Sequence, residues 1–174
     1  MNFLELTKKR LSVRAYKKQP VDDATLEYIL ESARMAPSAC NKQPWSFLVV
    51  SSEEGHKAIC QAYPRDWVSD AYMFIILCGD KYNAWERPGD KKNHLDIDAG
   101  IVMEHICLAA AEKEIGTCII CNFSTDICKL YFNIPNHIEP LAIIAIGYPN
   151  DPDVFSKTPK TRKELSEIIY KETF

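Results

Sequence analysis

A mixed α and β fold follows from three features of the 174-residue sequence. "WSFLVVSS" at 45–52 and "AYMFIILCG" at 71–79 carry the bulky apolar residues of strands. Between them "EEGHKAICQAY" reads as a helix. From Asp98 to Ile115 runs a longer helix, "DAGIVMEHICLAAAEKEI", the most apolar in the chain. Strands and helices interleaved in a chain of this length predict one domain spanning residues 1–174. Such a domain buries roughly 70% of its unfolded surface without staples.

In chain order, residues 2–10 read as a short helix that delivers "RLSVR" at 10–14. Asp22 has the place of an N-cap, with Val21 and Leu26 as a hydrophobic staple. Leu26, Ile29, Leu30 and Ala33 follow at helical spacing until Pro37 forbids continuation. After the two strands, "DKYNAWERPGDKKNHL" at 80–95 is polar and turn-rich. It predicts a surface loop, although Tyr82 and Trp85 also suit a lid over a pocket. The 98–115 helix has a narrow polar stripe of Glu104, His105 and Glu112, and nearly every other direction is aliphatic. A helix that apolar is buried on several sides. One small domain offers few elements to surround it, so a second subunit is expected there, against a face that includes Val102 and Ile106. "GTCIICNF" (116–123) and "PLAIIAIGYP" (140–149) supply two more buried strands. "DPDVFSKTPKTR" then leads to an expected terminal helix with Leu165, Ile168 and Ile169 on one face.

Composition narrows the function. With 47% hydrophobic and 26% charged residues and a net charge of −3, the chain has neither the basic excess of a nucleic-acid binder nor that of an anionic-membrane binder. No stretch approaches a membrane span, and "MNFLELTKKR" lacks the apolar centre of a signal peptide, so a cytoplasmic protein is expected. Seven cysteines in apolar settings predict reduced, mostly buried thiols. "CIIC" at 118–121 lies in a β-looking run, where residues three apart point to opposite faces, so no metal or disulfide is expected. HExxH, GxSxG, Walker and GxGxxG patterns are absent, and the four histidines are scattered. His105 on the apolar helix reads as structural.

Three segments carry chemistry. In "RLSVR", alternation sends Arg10, Ser12 and Arg14 to one side and Leu11 and Val13 to the other. Such a segment is either a solvated edge with an apolar underside or an anion site, since Arg forks and a Ser hydroxyl match phosphate oxygens. "APSACNKQPW" at 36–45 is stiffened by Pro37 and Pro44 and offers Ser38, Asn41 and Gln43 as donors and acceptors. It could equally be a connection satisfying its own backbone. "KTPKTR" places Lys157, Lys160 and Arg162 beside the expected terminal helix, a second place for a phosphate.

Together these segments resemble the FMN-dependent nitroreductase family. That family opens with Arg-x-Ser-x-Arg, follows with Pro-Ser-x-x-Asn-x-Gln-Pro-Trp, and carries a basic motif ending in Arg near the C-terminus. "AAAEKEIGTCIICNF" is similar to its interface helix running into a Gly-led strand. The motifs are collinear over nearly the whole chain.

The resemblance implies a three-layer α/β/α sandwich of the α+β class, with a mainly antiparallel central sheet, in an intertwined homodimer. Two FMN molecules would lie in the interface, each touched by both subunits. Carried over, Arg10, Leu11 and Ser12 form the phosphate segment, helped by Lys160 and Arg162. Arg14 corresponds to the cation near the pyrimidine end of the flavin, where it stabilises charge at N1 and O2. Pro37, Ser38, Asn41 and Gln43 correspond to the loop that packs on the isoalloxazine, at least partly from the partner chain. Cys121 and Asn122 correspond to positions whose backbone amides approach N5 and O4, where many relatives have Gly and Ala. NAD(P)H would deliver hydride to FMN and leave, and a nitroaromatic, quinone or similar small acceptor would follow in a ping-pong cycle. Alternatives are a specialised enzyme of the same fold (flavin-fragmenting, dehalogenating or azoline-dehydrogenating), an FMN-holding redox sensor without turnover, and a thiol enzyme using Cys40 or Cys121.

Overall fold

Four strands form one antiparallel sheet in the order β1–β2–β4–β3, described for all residues 1–174 by a computed structural model. The strands are β1 (Trp45–Val50), β2 (Met73–Asp80), β3 (Gly116–Ile120) and β4 (Ile138–Gly147). β2 and β4 are central, and both of their faces are covered. Along β2, Phe74, Ile76 and Cys78 enter one core, while Met73, Ile75 and Leu77 enter the other. That explains an unbroken apolar run where a half-exposed strand would alternate. Phe74, Ile75, Ile76 and Leu77 are fully buried, each worth about 1.5–3 kcal/mol of transfer free energy at most.

Helices α3 (Glu53–Ala62) and α5 (Thr125–Tyr131) cover the first face through Ile59, Ala62 and Cys128. Helices α2 (Asp23–Arg34) and α4 (Leu95–Glu112) cover the second through Ile29, Ala33, Val102 and Ile106. The result is the expected three-layer α/β/α sandwich of the α+β class. Asp22 caps α2 by accepting from the Thr25 amide at 2.8 Å. Val21 and Leu26 join the same core, as a staple requires. Short α1 (Phe3–Lys9) begins with a capping box, in which Asn2 Oδ1 accepts from the Glu5 amide and the Asn2 amide donates back to Glu5.

Three expectations need correction. The apolar helix starts at Leu95, one turn before Asp98, where Asn93 Oδ1 accepts from the Leu95 amide at 3.0 Å. Its Val102 and Ile106 are fully buried in the chain's own core, so they do not form a face left for a second subunit. The single chain covers more of this helix than its length suggested, because α2 and the sheet both pack on it. The terminal helix is also absent. After α6 (Val154–Lys157) only a 3₁₀ turn at Leu165–Glu167 forms, and Leu165, Ile168 and Ile169 are exposed. A helix of that length needs a surface to pack on, and the chain supplies none there.

Residues 80–95 form a surface excursion pinched by a bridge between Glu86 and Asn93. Trp85 packs edge-on against His94, ring centroids 4.6 Å apart, and Tyr82 is exposed. No helix is long and apolar enough to cross a membrane.

Candidate functional site

The segment "RLSVR" lies along the outer edge of β3. Ser12 pairs with Thr117 in parallel, and the Val13 amide donates to the Thr117 carbonyl at 2.8 Å. Leu11 and Val13 are buried, whereas Ser12 and Arg14 are exposed and Arg10 is half-buried. The alternation read from the sequence therefore holds residue by residue. Gly116 makes the approach possible, because a Cβ there would meet the Val13 side chain at 2.9 Å. Tyr16 locks the far end, its hydroxyl donating to the Val13 carbonyl at 2.7 Å.

Cations from both ends of the chain meet beside Arg10. Lys160 Nζ donates to the Thr7 carbonyl at the end of α1, at 2.5 Å. Its pKa is lowered, first by burial and then by the charges of Arg10 and Arg162. Three cations crowded this way, in an acidic protein, hold potential for an anion. Glu104 of α4 lies 3.5 Å from Arg10 Nε, too far for a good hydrogen bond, and that buried nitrogen has no hydrogen-bond partner. An unmatched guanidinium nitrogen fits a phosphate oxygen. A 430 Å³ cavity opens alongside, lined by Lys8, Lys9, Phe155, Thr158 and Lys160 among others. Lys157 stays apart, paired at 2.7 Å with Asp153, and no helix starts beside Lys160 or Arg162. The second basic segment thus lies near Arg10 and not at the start of an α-helix.

Arg14 sits against Cys118. Burial raises the Cys118 pKa, and the positive charge of nearby Arg14 pulls it back. Along β3 the chain then reaches Cys121 and Asn122, both exposed just past its end. Cys118 is buried and Cys121 exposed, so "CIIC" does not aim its thiols at a common point. No three His, Cys, Asp or Glu side chains converge as a cation site. His105, half-buried on α4, has its Nδ1 at 3.0 Å from the Ile101 carbonyl.

The loop Pro37–Gln43 is at the same end of the sheet as Cys121 but precedes β1, the opposite outer strand. Three strand spacings separate the two edges, about 14 Å. None of the main cavities of the single chain unites Arg10, Ser12 and Arg14 with Ser38, Asn41 and Gln43. The loop is a tight 3₁₀ turn, with Cys40, Asn41 and Gln43 all at positive φ. Each such non-glycine residue costs on the order of 1–3 kcal/mol. Inside the loop, Ser38 Oγ accepts from the Gln43 amide at 2.8 Å, and Gln43 Nε2 donates to Asn41 Oδ1 at 3.1 Å.

One residue of the site escaped the sequence reading. Asp98 is buried, and its Oδ1 accepts from the Ala39 amide at 2.9 Å, tying the loop to α4. The signal was present: Asp98, Val102 and Ile106 stand at i, i+4 and i+8 on the core-facing row. A carboxylate in an apolar row asks for a partner.

Comparison with known proteins agrees with this fold. The Nitroreductase family pattern matches residues 7–63 and 56–148. A provisionally named NADH dehydrogenase/NAD(P)H nitroreductase of Methanothermobacter thermautotrophicus is 31% identical over 154 residues, covering 86% of this chain and 78% of its own. The FMN reductase [NAD(P)H] of Bacillus subtilis is 29% identical over 180 residues, covering 94% of this chain and 70% of its own. The crystal structure of a nitroreductase family protein from Clostridium difficile superposes with a TM-score of 0.88 at 38% identity, over the full length of both chains. By motif, fold and whole-length similarity, the chain belongs to the nitroreductase family.

Proposed function

We propose that the protein is an FMN-dependent oxidoreductase that takes electrons from NAD(P)H and passes them to a nitroaromatic, quinone or similar small acceptor. The observation that carries this reading is the cluster around Lys160, which bonds to the Thr7 carbonyl at the end of α1 and feels the positive charges of Arg10 and Arg162. A phosphomonoester brings about −1.5 to −2 charges and three acceptor oxygens. Arg10 Nε has no hydrogen-bond partner, with Glu104 only at 3.5 Å, and Lys160 is depressed by burial and then by neighbouring cations, so the cluster favours such an anion. The name of the Bacillus subtilis relative supports both flavin and nicotinamide as ligands.

In this reading Arg10, Ser12, Lys160 and Arg162 hold the phosphate, and Leu11 keeps their backbone seated in the core. Arg14, on the same exposed side, supplies positive charge for the pyrimidine end of the ring. Cys121 and Asn122 offer backbone amides beyond β3. The Pro37–Gln43 loop of one subunit covers the ring held by the other, since the same chain presents it at the opposite sheet edge. The site is thereby completed in a homodimer. FMN, when bound, supplies hydride acceptance at N5 and onward electron transfer. Residues of the chain orient it, neutralise charge and leave one face for the nicotinamide and the acceptor to occupy in turn. No side-chain acid or base is needed at the centre of the reaction.

The absorption spectrum of the purified protein, before and after NADH and NADPH, tests the proposal. A flavin spectrum bleached by either nucleotide, and restored by a quinone or nitroaromatic, is the expected result. A yellow protein that neither nucleotide bleaches would instead mark a flavin-holding module. Turnover abolished by thiol alkylation with FMN still bound would mark a thiol enzyme.

A further inference from the structure

Cys40 (φ 51°), Asn41 (φ 52°) and Gln43 (φ 47°) place three left-handed non-glycine residues within four positions. Backbone of this kind persists only where its surroundings over-determine it. The Ser38–Gln43 and Gln43–Asn41 hydrogen bonds are internal to the loop and would move with it. Asp98 is the side chain that fastens this stretch to the body of the fold, through the Ala39 amide at 2.9 Å. It does so at a cost. Asp98 is 1% exposed, its Oδ2 has no hydrogen-bond partner, and an aliphatic residue would continue the buried row of Val102 and Ile106. Core packing alone would not select a carboxylate there. The position near the start of α4 eases the charge, because the helix N-terminus is electropositive.

We propose that Asp98 is a positioning residue that holds the Ser38–Gln43 loop in the shape that receives the flavin ring. The inference rests on the FMN reading above and assigns the ring side of the site, where Arg10 serves the phosphate side. Asp98 touches neither ring nor substrate. It acts through Ala39, by denying the loop its relaxed conformations.

Three variants test it: Asp98→Ala, Asp98→Asn, and Ala39→Pro. Proline suits the first position of a helical turn, so Ala39→Pro removes the donated N–H while leaving Asp98 in place. Hydrogen exchange of residues 38–43 in the apoprotein reads the loop without any flavin. Loss of protection is expected in Asp98→Ala and Ala39→Pro, and its retention in Asp98→Asn, whose Oδ1 still accepts. In the same variants the dissociation constants for FMN and riboflavin should rise together, about tenfold or more, with their ratio unchanged. The bound-flavin absorption band should move toward that of free flavin, and Asp98→Asn should restore both readouts. Wild-type protection and affinity in Asp98→Ala would overturn the proposal, as would a loss confined to FMN. Should Asp98→Ala fail to fold, Ala39→Pro set against Asp98→Asn carries the same decision. A wild-type protein that binds neither flavin overturns the FMN reading itself, and lost protection would then mark Asp98 as a clamp for the loop alone.

Discussion

Arg10 shows how much one residue of the motif carries. Its backbone is fixed by Leu11 and Val13 in the core, its buried Nε has no hydrogen-bond partner, and Lys160 from the far end of the chain feels its charge together with that of Arg162. Arg10→Ala should weaken FMN by about 1.5–3 kcal/mol, the worth of a hydrogen bond to a charged group. Riboflavin, without the phosphate, should bind both proteins alike, and fluorescence titration with the two flavins measures the difference. Lys160 adds a pH dependence whose sign is fixed. Its folded pKa lies below the ordinary lysine value, so between the two the unfolded chain binds more protons and the flavin-free fold gains stability as pH rises. A bound phosphate favours the charged ammonium and reverses that preference. FMN affinity should therefore fall as pH rises through the folded pKa of Lys160, before the ordinary lysine range, and Lys160→Met should remove that limb. Arg14 is expected to act on the ring instead. Arg14→Ala should lower the flavin midpoint potential with modest loss of affinity; lost binding at an unchanged potential would move Arg14 into the phosphate cluster. The side that Arg10 and Arg14 take could be read from alternation over five positions. Asp98 could not be read that way, because its partner is a backbone amide 59 residues earlier.

At the scale of elements, local pattern succeeded where each element finds its packing surface within the chain. The Asp22 cap, the Val21–Leu26 staple and the apolar runs of β2 and β4 all do so. Leu165, Ile168 and Ile169 have helical spacing too, yet no helix forms around them, because amphipathic pattern without a surface does not overcome nucleation. Helix α4 lies between these cases. Val102 and Ile106 face the sheet, whereas Ile101, Glu104, His105 and Leu108 line a groove of about 510 Å³ with Leu6 and Tyr28. The two faces predict different failures. Val102→Glu strands a charge in the core and should unfold the subunit, visible as a collapse of thermal stability. Leu108→Lys, on the groove, should leave the subunit folded while weakening its self-association. Equal loss of far-UV ellipticity in both variants would contradict the division of α4 into a core face and a face expected to meet a second copy.

The whole molecule leaves apolar surface that one chain does not cover. Phe3 and Leu4 on α1 are exposed, the α1–α2–α4 groove is open, and Leu165, Ile168, Ile169, Tyr170 and Phe174 are exposed within the last ten residues. Isolated exposed aliphatics are ordinary, but five large apolar side chains exposed in so short a segment suit contact with a partner. The proposed flavin site makes the same demand, since its phosphate cluster and its covering loop lie at opposite edges of one sheet. In the homodimer proposed above, a second copy would meet both demands. The expected assembly is an obligate dimer of the class that buries more than about 2,000 Å². Truncation after Lys163 removes the terminal patch but keeps Lys160, Arg162 and all four strands. It should loosen the dimer and, because the ring is covered from the neighbouring subunit, release FMN in parallel, with little change in the thermal unfolding of the subunit core. Sedimentation equilibrium followed at the flavin and protein absorption bands reads both quantities in one experiment. A truncated protein that sediments as a monomer with FMN still bound would separate assembly from cofactor retention, and would mean that one chain builds the whole site.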